Sequence, residues 1–414
     1  MSDKQLVVIF WSANLESKRL TQPQFDNILL ILHSSNCYRT LIMDIKIVEV
    51  TPRKLLRTFI HLPAKLHKHE PNWMPTIYND DWAFFNPKKN HQFDSCDTIM
   101  ALAFVDGKPV ARIMGIIHNT YNTLRNENKA RFGYFDSIDS QEVAHALFAF
   151  IEDWAKQKKK TLLVGPYGFS DKDIQGLLIE GFDNMPMIDS ACNPQYIVKL
   201  VENEGFGKEI DCMTYKFPVN LALPELYYRI VKRSNYNNNV QLVEFTSRKE
   251  LKPYIVPVLQ LVNKTYDHLY GFVPMTDTEM HEFASRYLPI IDPRMVKIIE
   301  KEGEVISFII GIPNLTVGIQ KSGGYLFPIG IFRILIAMKK ARQLDIMLGA
   351  VRRDFQGTGI EIVMAISLIE SARKADFKDI STHLILENNL KMRAEFERLH
   401  ITYRNKFRVY KKEL

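Results

Sequence analysis

The sequence is poor in cysteine and contains no paired-cysteine motif. Its four cysteines among 414 residues, Cys37, Cys96, Cys192 and Cys212, lie far apart in the chain. This spacing excludes the CxxC pairs of a structural zinc site and gives no basis for a disulfide framework. We therefore expect no bound metal and a protein of the reducing cytoplasm.

The sequence also lacks an apolar run of the length that a transmembrane helix needs. The nearest candidate is the segment 325–338, which Pro328 and Arg333 interrupt and which the basic segment 339–342 follows. Two interpretations remain open for it. It is either a helix buried in the core, or a segment that lies at the cytoplasmic face of a membrane with its basic end at the headgroups.

The bulk composition is that of a globular protein with an excess of positive charge. The chain is 46% apolar and 24% charged, with a formal net charge of +7, and its length predicts two domains. A basic protein favours an anionic partner, such as coenzyme phosphates, an acidic carrier protein or a membrane surface. No basic stripe is interleaved with aromatic residues, so nucleic acid is not expected as a partner.

Residues 1–42 differ in character from the rest of the chain. They hold short apolar segments but lack the basic start and small-residue cleavage site of a secretion signal. Met43 then opens a good first strand, at 43–50. We interpret 1–42 as a disordered extension or as the product of an upstream start codon.

The remainder predicts two units with the same order of elements: hairpin, strand, helix, strand, helix, strand. The segment 107–116 can be laid on 303–312, with glycine first and ninth in both, and 193–206 matches 388–401 at nearly the same offset. A duplicated unit explains this. The predicted fold class is α/β (an α+β mixed sheet), with units at 43–219 and 240–414.

The segment 344–370 contains the most informative motif. A buried strand leads into Gln356-Gly357-Thr358-Gly359, and apolar positions of helical spacing follow. A glycine turn before a helix directs free N–H groups at a phosphate. Thr358 and Glu361 also fit a capping box, which needs no ligand, so both interpretations stay open here.

The first half has no counterpart of this loop. Between its strand and the helix from Gln141, the acidic segment 136–140 would repel phosphate. We therefore expect the N-terminal unit to bind no coenzyme.

These motifs resemble those of the GNAT acyltransferase superfamily, whose signature is Gln/Arg-x-x-Gly-x-Gly/Ala. Gln356 and Gly359 match it, but Glu361 replaces the last small residue. A later motif of the superfamily aligns with Asn389 and Phe396. At the position of Phe396 many members have a tyrosine that protonates the departing thiolate, and a phenylalanine cannot donate that proton. The resemblance implies that the following residues bind the coenzyme: Val351, Arg352, Arg353, Gln356, Gly357, Thr358, Gly359, Ile360 and Asn389.

A closer resemblance covers the chain from Met43 to its end. Motifs such as Gly271-Phe-Val-Pro274 and Leu386-Glu-Asn-Asn389 are similar to those of bacterial tandem GNAT-like acyltransferases, a family that includes bacterial ceramide synthase-like proteins. The resemblance implies transfer of an acyl group from acyl-CoA or acyl-carrier protein to a primary amine, with a sphingoid lipid amine as the favoured acceptor. No permanently bound cofactor is implied. The N-terminal unit would then form a wall of the acceptor site, and a cleft between the units, lined by 325–338, would hold a long acyl chain.

Amide formation from a thioester needs a base, donors for the oxyanion and a route for the thiolate. We predict Glu387 as the base, with His383 on the same face of its strand. Tyr403 is a candidate acid, and the resemblance puts the oxyanion donors in the backbone of 349–351. Helix capping by Glu387 and a core or surface role for the histidine remain alternatives.

Arg352 and Arg353 are expected to offset the negative charge of Glu361 beside the bound phosphates. Two other functions stay open. One is acyl or aminoacyl transfer to an amino acid or a cell-wall precursor. The other is a non-catalytic binding module, which the departures at Glu361 and Phe396 would explain.

Overall fold

The computed structural model describes residues 43–237 and 240–414. Residues 47–103, 109–237 and 240–414 belong to one compact unit, and the described part of a second, small one consists of 43–46 and the hairpin tip at 104–108. The predicted extension, 1–42, lies outside the described residues. The candidate site lies wholly within the larger unit.

The first half has the order of elements that the sequence predicted. Its strands are β1 (Ile45–Glu49), β2 (Cys96–Val105), β3 (Lys108–His118), β4 (Lys129–Ser137), β5 (Leu162–Gly165), β6 (Leu177–Glu180) and β7 (Gly207–Pro218). Its helices are α1 (Arg53–Leu66), α2 (Tyr78–Phe84), α3 (Asn119–Arg125), α4 (Gln141–Gln157) and α5 (Gln195–Asn203). Helix α4 shows why local signals sufficed for this prediction. Ser140 caps the helix by accepting the N–H of Val143, and one apolar face of the helix is buried.

The second half repeats this order with an insertion before its fourth strand. Its strands are β8 (Gln241–Glu244), β9 (Val296–Lys301), β10 (Glu304–Pro313), β11 (Gln343–Val351), β12 (Asp379–Thr382), β13 (Ile385–Leu386) and β14 (Tyr403–Glu413). Its helices are α6 (Glu225–Asn237), α7 (Arg248–Leu251), α8 (Ile255–Thr265), α9 (Asp277–Tyr287), α10 (Thr316–Ser322), α11 (Gly330–Lys340), α12 (Ile360–Lys374) and α13 (Leu390–Arg398).

The two halves begin with hairpins whose turns have the same conformation. Asp106 and Gly107 have φ of 50° and 72°, and Glu302 and Gly303 have φ of 53° and 81°. Positive φ at both central positions defines a type I′ turn, which favours glycine at the second position. The matched glycines of the sequence repeat therefore occupy equivalent turns.

The described strands form one mixed sheet in which the halves exchange their last strands. The order is β1-β2-β3-β4-β5-β14-β7-β12-β11-β10-β9-β8, with β6 on β14 and β13 on β7. Strand β7 of the first half pairs with β12, and β14 of the second half pairs with β5. The mixed-sheet fold class is thus confirmed. The division at 219–240 remains a proposal, because the exchanged strands join both halves in one sheet.

The segment 325–338 is not the buried helix that one interpretation predicted. Helix α11 begins only at Gly330. Within the helix, Ile334 packs inward but Phe332 is exposed, and Phe327, which precedes the helix, is exposed as well. Across the described ranges, none of the helices combines the length and apolar character needed to cross a bilayer.

Candidate active site

The site is built around the point where two parallel strands separate. Strands β11 and β12 pair in parallel from Gln343–Asp379 to Ile346–Thr382. A last hydrogen bond joins the N–H of His383 to the carbonyl of Ile346 at 3.0 Å, and β13 then pairs with β7 instead. The strands therefore diverge and leave the end of β11 unpaired on that side.

A β-bulge lies at the same point on the other edge of β11. Ile310 pairs with Leu348 and Gly311 with Ile346, so Met347 has no partner on β10. A bulged residue leaves the regular ladder and re-aims its backbone groups. The bulge lies two residues before the segment 349–351 in which the oxyanion donors were predicted, and residues 346–351 all line one cavity.

This cavity has a volume of about 1910 Å³ and is lined mainly by apolar side chains. It extends from the glycine loop through the gap between β11 and β12 to helices α8 and α9. Sites for drug-sized ligands usually occupy about 300–1,000 Å³. The cavity is thus large enough for more than one ligand, or for a ligand with a long chain. Residues 325–338 do not line it, so the predicted acyl cleft along that segment is wrong.

The glycine loop forms the rim of the cavity and leads into α12. Gly357 and Gly359 have φ of 78° and 95°, which glycine adopts without strain. Gly359 is the N-cap residue, and the buried Ile360 fixes the first turn in the core. Ile360 can therefore offer a ligand only its backbone.

The capping box predicted for this helix is not formed. The hydroxyl of Thr358 donates to the carbonyl of Phe355 at 2.7 Å, so it caps nothing. The Glu361 carboxylate instead accepts the N–H of Gly357 at 2.6 Å. The reason is that the loop places Gly357, rather than the threonine, within reach of this side chain. Glu361 thus occupies one of the N–H groups that the loop would offer to an anion.

The two arginines beside the loop are already paired with acids. Arg352 donates to Asp354 at 2.8 Å and to Glu304 at 2.9 Å, and Arg353 is hydrogen-bonded to Asp267. Neither arginine lines the cavity. Their predicted role, to offset the charge of Glu361 beside the phosphates, does not match this arrangement.

Three other predicted coenzyme contacts do lie at the rim. The Gln356 side chain donates to the carbonyl of Val351 at 3.1 Å, which ties the loop to the end of β11. Asn389 is the N-cap of α13 and accepts the N–H of Met392 at 3.2 Å. All three of Val351, Gln356 and Asn389 line the cavity, so the structure brings them together.

His383 lies inside the cavity, where the two strands separate. Its ring makes no hydrogen bond to the described residues, and Asp189 and Tyr287 also line the cavity. Burial lowers the pKa of His383 below its usual 6.5, although Asp189 and Asp171 act to raise it. At neutral pH the imidazole is therefore neutral and able to accept a proton.

Asp189 belongs to a polar group that sequence reasoning missed. Tyr287 donates to Asp189 at 2.8 Å. Burial raises the pKa of this carboxyl, whereas Tyr287 and His383 lower it. Asp189 lies in an irregular segment with φ of 61°, and no motif marks it. The side chain could have been found only from the fold.

A second missed group follows the strand β5. Asp171, Lys172 and Asp173 line the cavity, and the Lys172 ammonium donates to Asp171 at 2.9 Å and to the carbonyl of Val273 at 2.7 Å. Burial raises the pKa of Asp173 to about 6. The charged triplet itself was the only sequence signal, and such triplets are usually solvated.

Tyr266 approaches β11 from helix α8. Its hydroxyl donates to the carbonyl of Gly349 at 2.8 Å, and burial raises its pKa to about 12. Tyr266 also lines the cavity. A neutral hydroxyl therefore lies beside the end of β11, at the wall of the cavity.

Glu387 and Tyr403 do not reach the cavity. Glu387 accepts from Lys208 at 2.6 Å and from the N–H of Asp211 at 3.1 Å, so its carboxylate is held by β7. The prediction that it shares a face with His383 fails because the strand breaks between β12 and β13. Tyr403 is exposed and donates to Glu180 at 2.6 Å.

In the first half, the position equivalent to the glycine loop is occupied by a buried ion network. Asp136, at the end of β4, accepts from His67 and from Arg112, both at 2.8 Å. Burial alone would raise the pKa of this carboxyl, but Arg112 and His67 outweigh burial and hold it below its usual range. Because this carboxylate stays ionised and is held in place by both partners, it would repel a phosphate. This supports the proposal that the N-terminal half binds no coenzyme phosphate.

Two curated proteins are similar to the chain over nearly its whole length. The bacterial ceramide synthase of Caulobacter vibrioides is 28% identical over 378 residues, which cover 90% of this chain and 98% of that protein. Protein YghO of Escherichia coli is 28% identical over 379 residues, covering 87% of this chain and 93% of its own. No protein-family model matches the chain.

Solved structures show the same architecture at low sequence identity. A tandem GNAT protein from the clavulanic acid biosynthesis pathway superposes with a TM-score of 0.51 at 11% identity, over 89% of this chain and 98% of that one. A GCN5-related glucosamine N-acetyltransferase region of a fungal β-N-acetylglucosaminidase gives a TM-score of 0.52 at 8% identity, over 90% of this chain and 38% of that one. The chain therefore has the fold of tandem GNAT-like structures and is similar over nearly its whole length to both curated proteins.

Proposed function

We propose that this protein transfers a long-chain acyl group from an acyl-CoA or acyl-carrier thioester to the primary amine of a lipid, with a sphingoid base as the favoured acceptor. The observation that carries the proposal is the gap between β11 and β12, where His383 lies inside a large, mainly apolar cavity that the glycine loop borders. The whole-length similarity to a bacterial ceramide synthase supports the lipid acceptor.

The donor would bind from the side of the glycine loop. The N-terminus of α12 attracts phosphate through free N–H groups and the helix dipole, and Gln356 and Asn389 add polar groups at the rim. The pantetheine arm would then extend along the unpaired edge of β11. Its amide groups would replace the hydrogen bonds that β12 no longer supplies beyond Ile346.

The chemistry needs one proton acceptor and donors for one oxyanion. His383, neutral at the pH of the cytoplasm, would take a proton from the acceptor ammonium. The free amine attacks the thioester carbonyl, and backbone N–H groups near the bulge at Met347 would stabilise the tetrahedral oxyanion. Collapse expels the thiolate, to which Tyr266 would supply a proton. The resulting tyrosinate would take the remaining extra proton of the amine nitrogen, which leaves the amide, the thiol and a protonated His383.

The acceptor would occupy the opposite end of the cavity. Asp173 and Asp189 place two carboxyl groups there, beside the ion pair of Asp171 with Lys172, which suits a cationic amine and its neighbouring hydroxyl groups. The apolar side chains of helices α8 and α9 continue from this end and would cover the hydrocarbon chain. A lipid of this kind implies an enzyme that works at a membrane surface.

The test uses purified full-length protein with palmitoyl-CoA and either sphinganine or a free amino acid as acceptor. We expect thiol release with sphinganine, measured with a thiol reagent, and an N-acyl product identified by mass spectrometry. The variant His383→Gln should lose the reaction while keeping its circular dichroism spectrum. Product with the amino acid alone would replace the lipid acceptor by a soluble one, and no product with any thioester would contradict the proposal. Parallel assays with the palmitoyl-carrier protein distinguish the two donors.

A further inference from the structure

One segment of the described chain exposes several large apolar side chains. Phe327 is 73% exposed, Phe332 61% and Ile336 54%. Their exposed neighbours in helices α10 and α11 and the turn between them are Val317, Tyr325, Ile329 and Leu335. We call these seven side chains the α10–α11 patch. Isolated exposed apolar residues are ordinary, but a contiguous set of this kind marks a surface that another phase or molecule covers.

The charge around the patch has one sign. The chain has no aspartate or glutamate between Glu304 and Asp345, whereas this stretch contains five lysines and arginines. Of these, Lys321, Lys339 and Lys340 are exposed and form no ion pair with any residue in the described ranges. Since their charges are not neutralised within the protein, they are available to an anionic partner.

Further cations border the patch on the side of helix α1. The ring of Tyr325 stacks on His61, with centroids 6.1 Å apart. Arg57 and Lys65, one turn before and after His61, lie close enough to lower its pKa, although burial contributes more. The apolar side chains therefore have cations on more than one side, which is the pattern of a protein face that lies at the lipid headgroups.

The inner side of the same helices packs against the acceptor end of the cavity. Leu315, Ile319 and Ile334 contact Ile188 and Ile290. Ile188 is followed directly by Asp189, and Ile290 lies three residues after Tyr287. Thr316 also donates to the carbonyl of Pro186 at 2.7 Å. The patch thus lies on the outer face of the elements that carry the acceptor-side polar groups.

We infer that the α10–α11 patch is the surface through which this protein binds an anionic phospholipid bilayer, so that the lipid amine enters the cavity from the membrane. The inference rests on the lipid acceptor of the proposed function. An anionic bilayer fits better than a second copy of the chain, because two copies of a face with uncompensated positive charge repel each other. The apolar side chains enter the acyl boundary, and the lysines contact the phosphates.

The test measures sedimentation of the full-length protein with vesicles of phosphatidylcholine alone or with a third of phosphatidylglycerol. We expect binding to the anionic vesicles only. The variant Phe327→Ser/Phe332→Ser should lower the partition coefficient by at least about tenfold for each phenylalanine. Lys339→Gln/Lys340→Gln should lower it roughly 25-fold, since each lysine near the surface contributes about fivefold. Leu124→Ser, also highly exposed, and Lys156→Gln/Lys159→Gln, two exposed lysines, are matched controls that should bind as the unsubstituted protein does.

A second readout separates this inference from the proposed function. Acyl transfer to a water-soluble short-chain amine should be unchanged in Phe327→Ser/Phe332→Ser, whereas transfer to sphinganine in anionic vesicles should fall with the partition coefficient. If the protein transfers acyl groups but does not bind anionic vesicles, the membrane surface is wrong and the reaction stands. If it binds vesicles but transfers nothing, the reverse holds. A dimer that the phenylalanine variant converts to a monomer, without vesicle binding, would assign the patch to self-association.

Discussion

The backbone N–H of Gly357 donates a 2.6 Å hydrogen bond to the carboxylate of Glu361. A side chain of the first turn of α12 therefore occupies part of the loop in which we propose that donor phosphates bind. Glycine or alanine, which the superfamily signature has at this position, could not reach that N–H. The Glu361 carboxylate would therefore compete with a bound anion for this N–H at the rim of the cavity.

Replacing Glu361 should strengthen coenzyme binding. In Glu361→Ala the N–H of Gly357 becomes free, and one negative charge beside the phosphates is removed. One additional hydrogen bond to a charged group contributes about 1.5 kcal/mol, so we expect the Kd for CoA to fall by roughly tenfold in titration calorimetry. Glu370→Ala, at an exposed position of the same helix, is the control and should leave the Kd unchanged. Weaker binding in Glu361→Ala would show that the carboxylate holds the loop in its binding conformation.

His383 should control the acid limb of the reaction. Because burial lowers its pKa below 6.5, we expect kcat/KM to be level at neutral pH and to fall below about pH 6.5, as the imidazole becomes protonated. His383→Gln should lower kcat by about 10²–10⁴-fold and abolish this limb. The control is His281→Gln, an exposed histidine on α9. An unchanged pH profile in His383→Gln would assign the proton transfer to another group.

The fold was predictable because its signals are local and repeated. The matched glycines at 107 and 303, the alternating strands and the amphipathic helix α4 each follow from the pattern of a few neighbouring residues. The exchange of β7 and β14 was not predictable. Both strands match the sheet pattern equally well in either position, so only the packed structure shows which half each one completes.

The site was predictable where a motif determines the backbone, as at Gln356 and Gly359, and not where side chains meet across the fold. The alternation of side chains along one continuous strand predicted that Glu387 lies on the same face as His383. The strand instead breaks after Thr382, and Glu387 contacts Lys208. Asp189 was missed for the opposite reason. It lies 194 residues before His383 in the chain, and no local pattern relates the two residues.

Glu387→Gln distinguishes the base predicted from the sequence from the one that the geometry favours. Its carboxylate is tied to Lys208 and to the N–H of Asp211, so we expect kcat to stay within about twofold of the unsubstituted value. The free energy of unfolding should fall by about 1 kcal/mol, measured in urea, because one partly exposed ion pair and one hydrogen bond weaken. Glu397→Gln, on the exposed face of α13, should change neither quantity. Loss of kcat with unchanged stability would restore Glu387 as the base.

Asp136 should make the protein sensitive to acid. Its pKa is lowered in the folded state, where burial is outweighed by Arg112 and His67, so the unfolded chain takes up the proton first as the pH falls. The stability that this carboxylate contributes is therefore complete above the unfolded pKa of about 3.9 and is lost as the pH falls through the folded pKa. In Asp136→Asn we expect about 3 kcal/mol less stability at pH 7, because Arg112 is left buried without its anion, and a shallower decline from pH 5 to pH 3. The measurement is urea unfolding at each pH, with the exposed Asp153→Asn as control. Equal acid slopes in Asp136→Asn and the unsubstituted protein would mean that other carboxylates determine the acid response.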